Sequence, residues 1–252
     1  MLALAVVTPG CGYFMYFARS PIRPVPALAH YREAGVRQRC LVVVVPGLGD
    51  GSGVALEHDL PRRLEGAGAR CDTVALDATY RYYFGTEIAD VLYADVLLPA
   101  AARGYEEIWL VGISLGGLGA VLTARAHPEL VDGLVLLSPF LGLDGARDDV
   151  LAAGGLAEWH PPEPMPPALV DQNFSMFVWA WLRGHVTDRA SMPETYVGWA
   201  RGERLETGAR LLGDVLPEGH ALSVEGTHGW TSWTALFDEL ARRARIGQGA
   251  AR

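Results

Sequence analysis

A serine hydroxyl becomes a nucleophile only when a base removes its proton and a third group steadies that base, so a held serine is the first residue to seek. The chain offers one in Val111-Gly112-Ile113-Ser114-Leu115-Gly116-Gly117. An apolar run, Ile108-Trp109-Leu110-Val111, enters Gly-x-Ser-x-Gly, and small and apolar residues of helical character continue through Ala126. A strand-to-helix turn of this kind strains the serine backbone and lifts the hydroxyl above the sheet, at a helix N-terminus whose amides stabilise negative charge. Five letters recur by chance in unrelated chains, so the partners must be found elsewhere. The base should sit on a loop directly after a late strand. Of the histidines, only His228, in Gly226-Thr227-His228-Gly229 after the predicted last strand over 221–225, is so placed. His30, His58, His127, His160, His185 and His220 read as structural or surface groups.

The elements that must carry these residues follow an alternating pattern. Cys40-Leu41-Val42-Val43-Val44-Val45 is a continuous apolar run, as expected of a parallel strand covered on both faces. It ends in the glycine loop Pro46-Gly47-Leu48-Gly49-Asp50-Gly51-Ser52-Gly53, whose backbone amides can approach a ligand closely. A helix is predicted over 54–68, broken near Pro61, then a strand over 71–77, a helix over 86–102, the serine strand and helix, and a strand over 133–139. The aromatic segment Tyr80-Arg81-Tyr82-Tyr83-Phe84 reads mainly as packing under a loop, with a substrate wall as the alternative. From 141 to about 192 the pattern loosens. The Pro-rich 161–167 stretch cannot continue a helix or a central strand. The aromatic run Phe174-Ser175-Met176-Phe177-Val178-Trp179-Ala180-Trp181-Leu182 beyond it suits either a cap over the mouth of the sheet or a core helix. Strands over 195–200 and 221–225 and a final amphipathic helix over 234–245 complete the order. The expected fold class is α/β: a doubly wound, mostly parallel sheet with a helical cap inserted before the second-last strand.

Length and composition fit one domain over 40–252, since 252 residues that are 50% hydrophobic supply a sizeable core and no linker divides them. Residues 1–39 form an apolar start and a Pro-rich lead-in. A net charge of −8 without a long Lys/Arg block argues against a nucleic-acid partner. Cys11, Cys40 and Cys71 show no zinc spacing, and neither metal nor cofactor is called for. Cys40 and Cys71 begin strands expected to be neighbours; they would pair if the protein is exported, but two buried free thiols are the favoured reading. The run Leu2-Ala3-Leu4-Ala5-Val6-Val7 before Cys11 is similar to the tail of a bacterial lipoprotein signal, although no Lys or Arg precedes it and Pro9 fits the cleavage site badly. Membrane anchoring through lipidated Cys11, in the cell envelope, and a cytoplasmic location with an apolar N-terminal strand both stay open.

From Cys40 onward the chain resembles an α/β-hydrolase, carried by the Gly112–Gly116 turn and the serine-then-histidine order. The segments 105–119 and 137–142, Gly154-Gly155-Leu156 and His228-Gly229-Trp230 are similar to small bacterial hydrolases often carried as lipoproteins. The resemblance implies that Ser114 is the nucleophile and His228 the general base. It also implies an oxyanion hole from the amides of Leu115 and, in the loop Pro46-Gly47-Leu48, of Leu48, with Gly49 in reserve. The triad acid is implied after the second-last strand, where this chain has no Asp but Glu203-Arg204-Leu205. Asp144, after the preceding strand, and Glu206 are the alternatives. The implied activity is a serine hydrolase cleaving an ester or thioester through an acyl-enzyme, with a small, apolar acyl substrate. Two other readings remain at this point: a catalytically inactive binding protein on the same fold, and a nicotinamide-dependent oxidoreductase using Gly47–Gly53 with Asp77.

Overall fold

In the computed structural model, residues 19–248 are described. Seven strands form one sheet in the order β1-β3-β2-β4-β5-β6-β7. They are β1 (Ala27–His30), β2 (Cys40–Val45), β3 (Cys71–Leu76), β4 (Glu107–Ile113), β5 (Gly133–Leu137), β6 (Glu194–Ala200) and β7 (Ala221–Val224). Every neighbouring pair is parallel except β1 with β3. All six residues of β2 are buried, and its side chains divide by the two-residue period of a strand. Val42 and Val44 pack with Leu64 of α2 (Leu60–Gly66) and with Leu236 and Leu240 of α10 (Trp230–Ala244) on one face. Leu41, Val43 and Val45 pack on the other, with Ile88 and Val91 of α3 (Ile88–Leu92) and Leu118 and Val121 of α5 (Leu115–Ala126). The short helix α1 (Val54–Glu57) precedes α2, and Asp59, at φ 57°, breaks the two apart ahead of Pro61. Between α3 and α4 (Leu98–Ala102) lies one π-helical turn, Tyr93–Leu97.

The chain between β5 and β6 leaves the sheet and forms the helical insert expected there. It holds α6 (Asp144–Ala152), α7 (Phe174–Leu182) and α8 (Gly184–Thr187), before α9 (Glu206–Gly213) resumes the alternation after β6. Both open readings of the aromatic run have a share in α7: Val178, Trp179 and Leu182 are buried in the core, whereas Phe174 faces a cavity beside Ser114.

Three features differ from the sequence expectations. The lead-in before Cys40 contributes β1, which the apolar pattern does not reveal because it is a four-residue edge strand, mostly exposed and held by backbone pairing to β3. The last helix begins at Trp230, four residues earlier than expected, because Gly229 ends the loop directly before it. Cys40 and Cys71 form a disulfide, which corrects the favoured reading of two free thiols. They stand opposite each other at the start of adjacent parallel strands, with Cα atoms 4.5 Å apart, so strand register itself supplies the spacing a disulfide needs. Cys11 and the apolar run before it lie outside the described residues. Among the described residues no helix is long and apolar enough to cross a membrane. Denatured, unreduced protein treated with a maleimide should carry no label on Cys40 or Cys71 and label on both after reduction; labelling without reduction would contradict the pairing.

Candidate active site

Ser114 stands between the end of β4 and the start of α5, with φ 51° and ψ −116°. Such a backbone costs a non-glycine residue about 1–3 kcal/mol and persists only where the surroundings enforce it. Here the Ser114 amide donates to the Leu137 carbonyl at 2.9 Å, and the Ser114 carbonyl accepts from Gly117 at 3.0 Å and from Phe140 at 2.8 Å. The flanking glycines are steric necessities. A Cβ on Gly116 would lie 2.0 Å from the Val45 carbonyl oxygen, one on Gly112 2.7 Å from the Gly116 carbonyl, and one on Gly117 2.6 Å from Pro139 Cβ. Strand, turn and helix therefore meet at backbone distance.

His228 follows β7 on a loop shaped by two local contacts. Gly226 takes φ +155°, and a Cβ there would fall 2.2 Å from Ser232 Oγ. That hydroxyl, from the first turn of α10, accepts the Thr227 amide at 3.0 Å. The imidazole then meets both partners: Nε2 lies 2.9 Å from Ser114 Oγ, and Nδ1 lies 2.5 Å from Glu203 Oε2. An ionised carboxylate can only accept, so Nδ1 carries the hydrogen and Nε2 offers its lone pair to the serine hydroxyl.

Glu203 follows β6 through a turn at Gly202, φ +82°, and its side chain is 1% exposed. Burial alone would raise its carboxyl pKa. Hydrogen bonds from His228, from Ser138 and from the Ala200 amide at 3.1 Å outweigh burial and hold it below the ordinary glutamate range. With the folded-state pKa below that of the unfolded chain, the ionised carboxylate stabilises the fold above the unfolded value; this contribution fades as pH falls through the depressed one. The alternative acids are engaged elsewhere. Asp144, 80% exposed at its side chain, pairs with Arg147 at 2.9 Å, and Glu206 accepts the Gly202 amide at 2.7 Å.

Ser138 was not singled out from the sequence. At the end of β5 it is fully buried with φ 45°, accepts a hydrogen bond from Trp233 Nε1 at 3.0 Å, and donates to Glu203. The available signal is its position at the carboxyl end of a central strand. Trp233 also sets its ring edge-on to His228, with centroids 5.1 Å apart. On the other side of the site, the Trp230 side chain donates to Asp50 and its ring stacks on His58 at 3.9 Å, tying the glycine loop to the histidine loop. Burial pushes the Asp50 carboxyl pKa upward, opposed in part by that hydrogen bond.

Leu48 and Leu115 line one cavity with Ser114, of about 430 Å³. Leu115 is the first residue of α5, so its amide has no partner within its own helix. The walls are mostly apolar and aromatic, with Tyr80, Tyr83 and Phe84 from the segment after β3 and Phe140 and Phe174 from the chain after β5, and two charged residues, Asp171 and Arg204, complete the lining. The Tyr80–Phe84 segment, expected mainly to pack under a loop, thus does so only in part. Tyr82 is buried and exchanges 2.8 Å hydrogen bonds with the Ile22 backbone, while Tyr80, Tyr83 and Phe84 face the cavity. A larger hollow, about 1030 Å³, lies at the amino ends of the strands among Arg39, Arg70, Glu106 and Glu107, remote from Ser114. A Cβ on Gly47 would lie 3.5 Å from Ser114 Cβ, and Asp77 is ion-paired with Arg19 at 2.7 Å, so the glycine loop lies beside the serine turn and the carboxylate a ribose would need is already paired. Among the described residues no group of His, Cys, Asp and Glu could hold a metal.

Several solved structures share this architecture. A ferulic acid esterase superposes with a TM-score of 0.60 at 14% identity, over 88% of this chain and 98% of that one. The thermostable carboxylesterase EstE1, cloned from a metagenomic library, gives 0.58 at 16% identity over 96% and 95%. The monoacylglycerol lipase of Paleococcus ferrophilus gives 0.55 at 19% identity over 89% and 99%. At these identities the likeness is one of fold. No curated protein matches the sequence. The sequence model of the alpha/beta hydrolase fold matches residues 40–183, more than half of the chain, and the protein therefore belongs to the alpha/beta hydrolase fold family.

Proposed function

We propose that the protein is a serine hydrolase that cleaves carboxylic esters or thioesters through an acyl-enzyme on Ser114. The observation that carries this reading is the unbroken line from Ser114 Oγ through His228 to Glu203, opening into a mostly apolar cavity. The esterase and lipase names of the structural relatives support the same reaction class.

In this mechanism His228 Nε2 takes the hydroxyl proton as Ser114 Oγ bonds to the substrate carbonyl carbon, and the π electrons move to the carbonyl oxygen. The Leu115 and Leu48 amides hold that oxygen, which gains full charge only in the transition state; one such donor contributes about 3–4 kcal/mol. Collapse breaks the bond to the alcohol or thiol, which leaves with the proton from His228. Water then loses a proton to His228 and attacks the acyl carbon; collapse breaks the bond from that carbon to Ser114 Oγ, which takes the proton back from His228, and the acid is released. Glu203 keeps the imidazole in the productive tautomer and offsets its positive charge while it holds the proton.

The Cys40–Cys71 disulfide favours an oxidising compartment, and so the envelope location, over the cytoplasm.

Hydrolysis of a short nitrophenyl ester tests the assignment. Ser114→Ala and His228→Ala should each lower kcat by about 10⁴-fold or more, and Glu203→Gln by about 10³–10⁴-fold, with thermal unfolding close to wild type. Asp144→Asn should leave the rate within about twofold; a loss there with Glu203→Gln active would overturn the choice of acid. Ser138→Ala removes one hydrogen bond to a charged group, worth about 1.5–3 kcal/mol, and should lower kcat roughly ten- to hundredfold with little change in KM. An unchanged kcat would separate Ser138 from the function of Glu203.

A further inference from the structure

The cavity beside Ser114 has a direction. Leu115, Leu118 and Leu122 of α5 all line it, spaced i, i+3 and i+7 on one helix face, and all three are at most 8% exposed. Phe140 and Phe174 close it from the insert side, and Tyr83 from the segment after β3; the charged lining residues Asp171 and Arg204 lie outside α5, and Asp171 accepts the exposed Gly85 amide at 3.1 Å. The next residue on that helix face is Arg125, which does not line the cavity. Its guanidinium lies 5.1 Å from the centroid of Phe177 in α7, bridging helix and insert one turn beyond Leu122. Arg125 is half-buried and has no ion pair among the described residues, so stacking on Phe177 is the contact that holds it there.

Resting on the ester-hydrolase reading, we infer that the substrate is an ester of a medium-length linear acyl group, lying along α5 with Arg125 on Phe177 as the end stop. Seven residues at about 1.5 Å each place Leu122 roughly 10 Å along the helix from Leu115. An extended chain advances about 1.2 Å per bond, so this length takes roughly eight bonds beyond the carbonyl carbon. Each buried methylene contributes about 0.8 kcal/mol, close to fourfold, until the end is reached. Longer chains must displace the Arg125 contact or bend back towards the exposed mouth at Leu48, Phe84 and Leu143.

The test is a series of nitrophenyl esters from acetate to myristate with wild type, Leu118→Phe and Arg125→Ala. For wild type, kcat/KM should rise to about octanoate and fall at least about tenfold by myristate. Leu118→Phe, which fills the middle of the channel, should lower the octanoate-to-butyrate ratio at least about tenfold. Arg125→Ala, at a half-buried site that does not depend on core packing, should raise the dodecanoate-to-octanoate ratio about fivefold or more. A flat wild-type profile, or ratios for Arg125→Ala that match wild type, would overturn the end stop while leaving ester hydrolysis intact. Failure to cleave any ester, acetate included, would overturn the hydrolase reading and this inference with it.

Discussion

Close backbone packing at the serine turn is the constraint on which the rest of the site depends. Gly116 can approach the end of β2 only because it has no side chain; any Cβ would meet the Val45 carbonyl at 2.0 Å. That approach brings the start of α5 against the loop after β2, so Leu115 and Leu48 come to line one cavity with Ser114. It also leaves Ser114 in a backbone state costing about 1–3 kcal/mol, held by its hydrogen bonds to Leu137, Gly117 and Phe140. Relaxing the turn would move the hydroxyl away from His228 and the two amides apart. The geometry around Ser114 therefore rests on a steric fit between backbones before it rests on any charge.

The acid end obeys a different balance. A glutamate is one methylene longer than an aspartate, and its carboxylate must still reach His228 Nδ1 from a turn after β6. Gly202 makes that turn, and Glu203 folds back so that one oxygen accepts its own strand's Ala200 amide while the other meets His228. Burial of the carboxylate is compensated by three donors, one of them Ser138, itself fixed by the Trp233 indole. Trp233 also contacts the His228 ring edge-on, so one side chain of α10 braces both His228 and the serine that supports Glu203. These contacts restrict an otherwise flexible glutamate to one geometry, which is what positioning demands.

Much of this was legible in the sequence because its causes are local. Buried parallel strands are continuous apolar runs, as in Cys40–Val45, and the serine turn advertises itself through glycines that only close packing explains. His228 could be found because it follows the last strand. Glu203 comes first for its place after the second-last strand, ahead of Asp144 and Glu206, but its reach to His228 Nδ1 across turns is not written in the sequence. Ser138 and Trp233 stayed hidden because their hydrogen bond joins residues 95 apart in sequence. The strand Ala27–His30 is an edge strand with almost no apolar signature, and the Cys40–Cys71 bond depends on register, which neighbouring runs alone do not specify.

The central claim is that Ser114, alone among the serines, is an activated nucleophile in the folded protein. Reaction of the native protein with an alkyl fluorophosphonate, followed by mass analysis of its peptides, tests this without presuming a substrate. One adduct per chain on the peptide containing Ser114, absent after denaturation before labelling, is the result expected. No adduct on the native protein, or an adduct on a different serine, would contradict it.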